Sequence, residues 1–242
     1  MQQIFIGTSG YNYKSWKDVF YPKGLAQKDW LSFYSSHFKT LEINATFYRH
    51  FEKKVYEKWC SSVADDFLFV IKGSRSITHL KKLKGIEDEL ARQLEAVGGL
   101  GEKLGALLWQ FPASFKASEE NKEKISQFLR VLPTKHQYAF EFRDRSWFEQ
   151  GIGDLFNAQS TAIVINDTLA FDVTHELLGN FAYVRFHGPT ALYSSSYSDE
   201  SLKEWAEKIK EWSKTGTVLC YFNNDMSGYA IANATTLTEF LS

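Results

Sequence analysis

Hydrophobic positions along this 242-residue chain follow two alternating rhythms. Short apolar runs rich in β-branched and aromatic residues recur eight times: IFIG (4–7), TLEINATF (40–47), FLFVIKG (67–73), GALLWQF (105–111), YAFEFR (138–143), TAIVIND (161–167), AYVRFHG (182–188) and TVLCYFNN (217–224). Runs of this length and make-up predict buried strands. Between them the apolar spacing changes to three and four residues, with charge between. AQKDWLSFYSSHF, FEKKVYEKWCSSV, IEDELARQLEAV, NKEKISQFLRVL and DESLKEWAEKIKEWS each predict an amphipathic helix. SDES supplies the start of the last, with Ser198 or Asp199 as N-cap. VTHELLG, after the sixth run, offers at most a short helix.

Eight strand–helix units in a chain of this length predict an α/β fold, a single (β/α)8 TIM barrel over residues 1–242. A doubly wound open sheet is the alternative. It usually has fewer strands, and GTSGYNY after the first run lacks the dinucleotide fingerprint. With four prolines and no low-complexity stretch, the chain has no obvious hinge to a second domain.

Alternation along each run assigns faces, because the helix-covered face must be apolar. Leu41, Ile43 and Ala45 then face helices, while Thr40, Glu42 and Asn44 face inward. Ala139, Glu141 and Arg143 face in, against Tyr138, Phe140 and Phe142 facing out. The same rule puts Lys72 with Leu68 and Val70, Gln110 with Ala106 and Leu108, Arg185 with His187, and Asn223 with Leu219 and Tyr221. In six strands the inward set starts small or apolar and ends polar or charged. An unpaired ion inside a barrel costs several kcal/mol by roughly any measure. The inward polar residues are therefore expected to form one network at the C-terminal mouth, where barrel enzymes carry their sites.

Composition narrows the picture. The chain is 44% hydrophobic and 16% aromatic, which fits a packed globular protein and excludes a disordered one. Its net charge of −1 provides no basic field for nucleic acid, and HLKKLKG (79–85) is the one basic strip. Cys60 and Cys220 lack metal-ligand spacing and predict two reduced packing thiols. The start of the chain has no signal-like core, and no apolar run reaches about 18 residues, so a cytoplasmic protein without a membrane span is expected.

Seven segments, GTSGYNYKSW, LEINATFYR, FLFVIKGSRSITH, LLWQFPASF, FEFRDRSWF, YVRFHG and YFNND with GYAIANA, together resemble the domain-of-unknown-function 72 family, the YecE-like proteins. They occur in the expected order from residue 4 to about residue 234. The resemblance implies a (β/α)8 barrel and no particular reaction. It also marks a departure. Members often carry an Arg-Tyr pair before the acidic helix start, whereas Ser196 stands before Tyr197 here, which puts an anion contact from that position in doubt.

Candidate chemistry comes from the inward set. Lys72, Arg143 and Arg185, with Arg75 just beyond, are placed to bind phosphate or carboxylate, or else to neutralise Glu42 and Glu141. Glu42 and Glu141 are the candidate acid and base across a cleft, and His187 is the candidate for proton transfer near neutral pH. Candidate substrate contacts are Asn44, Tyr48, Lys72, Gln110, Arg143, Arg185, Tyr197 and Asn223, and His79 is placed to reach the mouth. Glu42, Glu141, Asp167, Asp225 and His187 could hold a divalent ion if they converged, but the inward cations argue against it. No metal and no cofactor are expected. Among the mouth aromatics, Trp16 and Trp147 are expected to close the rim. The expected function is a hydrolase, lyase or isomerase using carboxylate and His acid–base chemistry on a small anionic or polyhydroxylated substrate. The alternatives are a non-catalytic ligand-binding barrel and a metal-dependent nucleic-acid-processing barrel. A small-molecule partner is expected, rather than a membrane or a nucleic acid.

Overall fold

The computed structural model describes residues 4–149, 152–156, 160–168, 177–226 and 228–242. Nine strand segments occur: β1 Ile4–Thr8, β2 Thr40–Ile43, β3 Leu68–Lys72, β4 Leu104–Gln110, β5 Tyr138–Glu141, β6 Thr161–Ile163, β7 Ile165–Asp167, β8 Ala182–Phe186 and β9 Val218–Phe222. Every pairing between them is parallel. They form two sheets, in the orders β2-β3-β4-β5-β6 and β7-β8-β9-β1.

The sheets are joined at both margins. At one, β6 and β7 are consecutive pieces of the sixth apolar run, broken at Val164. Val164 N–H still donates to Phe140 C=O at 2.9 Å, so the chain leaves β5 and joins β8 without reversing. Beside the break, Gly179 makes an antiparallel bridge to Ala162. With φ of 113°, it comes so close that an added Cβ would lie 2.2 Å from Thr161 O. At the other margin Ser9 bridges Glu42 in parallel, and the buried Tyr34 hydroxyl accepts from Thr8 N–H and donates to Thr40 C=O.

Among the described residues, seven α-helices lie between or after the strands: α1 Trp30–Ser35, α2 Ala45–Tyr48, α3 Lys53–Ser61, α4 Glu87–Val97, α5 Glu119–Val131, α6 Asp199–Ser213 and α7 Tyr229–Leu241. In α6 the buried Leu202, Trp205, Ala206 and Ile209 trace the three/four spacing read from the sequence. Ser198 is its N-cap and accepts from Ser201 N–H. Residues 45–47, expected to extend the second strand, turn into α2 instead. The periodicity does not announce α7, because its alanine-rich face lacks the charge contrast of the other helices. Of VTHELLG, residues 173–176 lie outside the described residues.

Apolar packing divides as the alternation predicts. Leu41, Ile43, Phe69, Ile71, Phe140, Phe142, Val184 and Phe186 pack with the helices. Val70, Ala106, Leu108, Ala139, Val164, Tyr183, Leu219 and Tyr221, drawn from both sheets, form a separate enclosed cluster. Both cysteines are free thiols, with Cys220 buried. Among the described residues, no helix is long and apolar enough to cross a membrane.

Candidate functional site

The backbone ladder runs one step past several strand ends and so fixes the direction of the residues beyond them. Gly73 N–H donates to Leu108 C=O, Phe111 N–H to Glu141 C=O, Asn223 N–H to Phe186 C=O and His187 N–H to Asp167 C=O, all at 2.8–3.0 Å. Registers align Gln110 with Glu141 and Asn166 with Arg185. Polar side chains are thus gathered just above the enclosed apolar cluster.

The lower layer is ionic and closed. Arg185 lies between two carboxylates, with Nη2 2.7 Å from Glu42 Oε1 and Nη1 2.6 Å from Glu141 Oε2. All three side chains are at most 1% exposed. Tyr183 donates to Glu42 Oε2 at 2.6 Å, and Gln110 Nε2 donates to Glu141 Oε2 at 2.7 Å. Arg143 Nε stands 3.5 Å from Glu141 Oε1. Burial alone would raise the Glu141 pKa, but the charges of Arg185 and Arg143 outweigh it and hold the carboxyl well below the usual range. Burial likewise opposes the Arg185 charge, and the two glutamates more than restore it.

His187 belongs to this layer. It is 1% exposed, with Nε2 3.0 Å from Asn166 Oδ1 and Nδ1 3.2 Å from Asn223 Nδ2. These contacts suit a neutral ring that donates from Nε2 and accepts at Nδ1. Burial, reinforced by Arg185, lowers its pKa to about 3. The residue expected to transfer protons near neutral pH is thus a buried ring held between two asparagines.

Above that layer opens a pocket of about 630 Å³. Its polar lining is Asn44, Lys72, Arg75, His79, Gln110, Arg143, Arg185, Asn223 and Asp225, and its other walls are Tyr13, Phe47, Tyr48, Tyr193 and Met226. Lys72 ends β3 at 7% exposure, its Nζ 4.4 Å from the centre of the Phe47 ring. Its carbonyl accepts from Thr46 Oγ1 at 2.7 Å. The next residue must be glycine, because a Cβ on Gly73 would lie 2.2 Å from the Trp109 ring. Burial, with help from Arg185, lowers the Lys72 pKa to about 8, against the pull of Glu141 and Glu42. Burial and the nearby cations take His79 to about 4. Burial raises the Asp225 carboxyl, partly offset by its backbone and Tyr13 hydrogen bonds.

Most of the expected contacts meet here: Asn44, Tyr48, Lys72, Gln110, Arg143, Arg185 and Asn223 all line the pocket. Tyr197 does not. It is 4% exposed, packs edge-on against Phe186 and Phe222, and its hydroxyl accepts from Gly188 N–H at 3.0 Å. It braces the loop after β8 and is not among the residues that line the pocket. Glu42 and Glu141 do converge, but on one guanidinium rather than on opposite sides of a cleft. Asp167 points away, accepting from Trp205 Nε1 of α6 at 3.1 Å. Among the described residues, no three His, Cys, Asp or Glu side chains are grouped to hold a metal.

The protein-of-unknown-function DUF72 model matches residues 5–242. The chain belongs to the DUF72 family. It is 26% identical to UPF0759 protein YunF of Bacillus subtilis over 98% of this chain and 94% of YunF. Against UPF0759 protein YecE of Escherichia coli K12 it is 28% identical over 61% of this chain and 51% of YecE. A DUF72 structure from Thermotoga maritima superposes with a TM-score of 0.83 at 27% identity, covering 99% of each chain. One from Enterococcus faecalis gives 0.85 at 22%, covering 99% of this chain and 95% of the other. No specific activity comes with the family.

For this DUF72 chain, strand face alone does not place the pocket residues carried on loops, although Arg75, His79, Tyr48 and the loop aromatics Tyr13, Phe47 and Tyr193 are expected near the mouth and do line it. Asp225 stands just past the eighth apolar run in FNND, where its sequence context suggests only a metal ligand. Tyr193 lies in the loop after β8 with φ of 64°, and its ring stands edge-on to His187. Such a strained, non-glycine backbone leaves no trace in the sequence.

Proposed function

We propose that the two sheets are one closed (β/α)8 barrel in a single domain, with β6 and β7 as halves of one strand. The bridge between Ser9 and Glu42, the continuous chain through Val164 and the enclosed cluster shared by both sheets support closure. The pocket then occupies the C-terminal mouth, and its size falls in the usual range for a small-molecule site. Its proposed role is acid–base turnover of a small anionic or polyhydroxylated metabolite, as a hydrolase, lyase or isomerase.

One observation carries the ligand's charge: Lys72, Arg75 and Arg143 line the pocket with one carboxylate, Asp225, while Arg185 on the same lining is paired with Glu42 and Glu141. Glu42 and Glu141 are engaged below by Arg185, so they act as fixed counter-charges. The proton-transfer groups in this proposal are those whose surroundings push them toward neutrality while they face the pocket, Lys72 downward and Asp225 upward. Arg75 and Arg143 hold the anion, while Asn44, Gln110 and Asn223 address hydroxyls.

Calorimetric titration with inorganic phosphate, malonate and a sugar phosphate tests this. At least one should bind, and Arg143→Ala or Lys72→Met should weaken it by about tenfold or more, the worth of one charged hydrogen bond. Absence of binding by all three, or affinity unchanged in both variants, would overturn the proposal.

A further inference from the structure

The residues around Lys72 carry more than anion binding. Of the four cations lining the pocket, Lys72 is the one with an amine that can act as a nucleophile once it loses its proton. The two buried carboxylates that could have held it charged are committed to Arg185, with Gln110 and Tyr183 filling further oxygen sites. Among the described residues no carboxylate forms an ion pair with Lys72, and its Nζ stands over the Phe47 ring. The lysine is pinned at its base by the Thr46 bond and by the tight fit of Gly73 on Trp109. The amine is therefore presented from a rigid strand end, between an aromatic wall and the pocket. Burial beside other cations is a physical route to an activated lysine. Arg75 and Arg143 on the same lining provide for a negative group on whatever reacts.

We propose that Lys72 forms a covalent imine with an anionic aldehyde or ketone, so that the substrate class is carbonyl metabolites bearing a carboxylate or phosphate. This rests on the pocket being the ligand site. The nitrogen lone pair, freed by loss of one proton from the ammonium, attacks the carbonyl carbon. The N–C bond forms as the C=O π bond breaks, and the nitrogen gives up a second proton while the oxygen takes up one, leaving a neutral carbinolamine whose nitrogen again carries a lone pair. A second proton reaches that oxygen, which leaves as water while the nitrogen lone pair closes the C=N bond. The net change is ammonium plus carbonyl to protonated imine plus water, with no oxidant or reductant. The resulting cation is an electron sink that favours breaking a bond next to the former carbonyl, which suits a lyase or isomerase. The raised carboxyl of Asp225 on the same lining is a candidate proton shuttle for those steps.

The test is reductive trapping. Purified protein is incubated separately with pyruvate and with glyceraldehyde 3-phosphate, treated with sodium borohydride, digested and mapped by mass spectrometry. The expected result is a single reduced adduct on the Lys72 peptide with at least one probe. Its formation should quicken as pH rises through about 8, and it should vanish in Lys72→Arg, whose fold is checked by circular dichroism. Labelling scattered over surface lysines, equal in wild type and Lys72→Arg, or no adduct at Lys72 with either probe, would overturn the imine. Titration with inorganic phosphate separates this from the broader proposal. Phosphate binding without an adduct removes the imine and leaves the anion pocket, whereas no binding and no adduct removes both.

Discussion

Two groups of charges sit within one short span of this fold, and they live under different rules. Below, Glu42, Arg185 and Glu141 are at most 1% exposed and bonded to one another at 2.6–2.7 Å. Above, Lys72 and Arg143 face an open pocket, and Lys72 forms no ion pair among the described residues. Both groups come from the same inward face of the strands and look alike in sequence. Burial with mutual ion pairs makes the lower group part of the framework. Facing the pocket makes the upper group the part that can answer to a ligand.

Removing the shared guanidinium puts that contrast under the greatest strain. Arg185→Met strands two buried carboxylates, and urea unfolding should show a loss of about 3–5 kcal/mol. Combining it with Glu42→Gln and Glu141→Gln removes the stranded charges and should recover much of the loss. A small loss in the single variant would mean that the lower group is not framework.

Acid should separate the layers next. His187 stays neutral in the fold down to about pH 3, whereas its ordinary value is 6.5. Between those values the unfolded chain binds the extra proton, so stability falls as pH drops from 6.5 toward 3. Glu141 adds its share lower down. Its contribution is complete above 4.5 and is lost as pH falls from there toward its much lower folded value. Thermal melts across pH should show both stages, and His187→Asn should lessen the loss between 6.5 and 4.5, to which His79 also contributes.

Lys72→Met probes the upper layer in the same way. Below about pH 8 the fold carries a largely buried ammonium at some cost, and that cost fades as pH rises from about 8 to 10.5, where only the unfolded chain keeps the proton. The variant should be as stable as wild type or slightly more so at neutral pH, should lack the rise above 8, and should bind anions poorly. Smallest of all is the rim. Tyr48 is 70% exposed, so Tyr48→Ala should change stability by roughly 0.5 kcal/mol or less and alter ligand affinity only modestly.

How far the sequence can be read rests on the same physics. Strand period decides which side Glu42, Lys72, Gln110, Glu141, Arg185 and Asn223 take, because the helix-covered side tolerates only apolar groups. Period cannot separate floor from lining, since that depends on which cation reaches which carboxylate in three dimensions. It gives Arg185 and Lys72 equal standing, although one is enclosed by glutamates and the other is not. His187 reads as a neutral-pH group because its ordinary pKa suits that role, while burial beside Arg185 decides otherwise. The bridge from Ala162 beside the break at Val164 reaches Gly179, 17 residues further along the chain from Ala162, and no pattern within the run announces it.

The difference between the two layers comes to a head at the Lys72 amine. Its titration can be tracked by NMR on protein carrying isotope-labelled lysine, with Lys72→Arg to assign the signal. The midpoint should lie near 8 without ligand and move upward when inorganic phosphate fills the pocket. A midpoint at the ordinary 10.5, unmoved by phosphate, would contradict the division into framework and responsive charges.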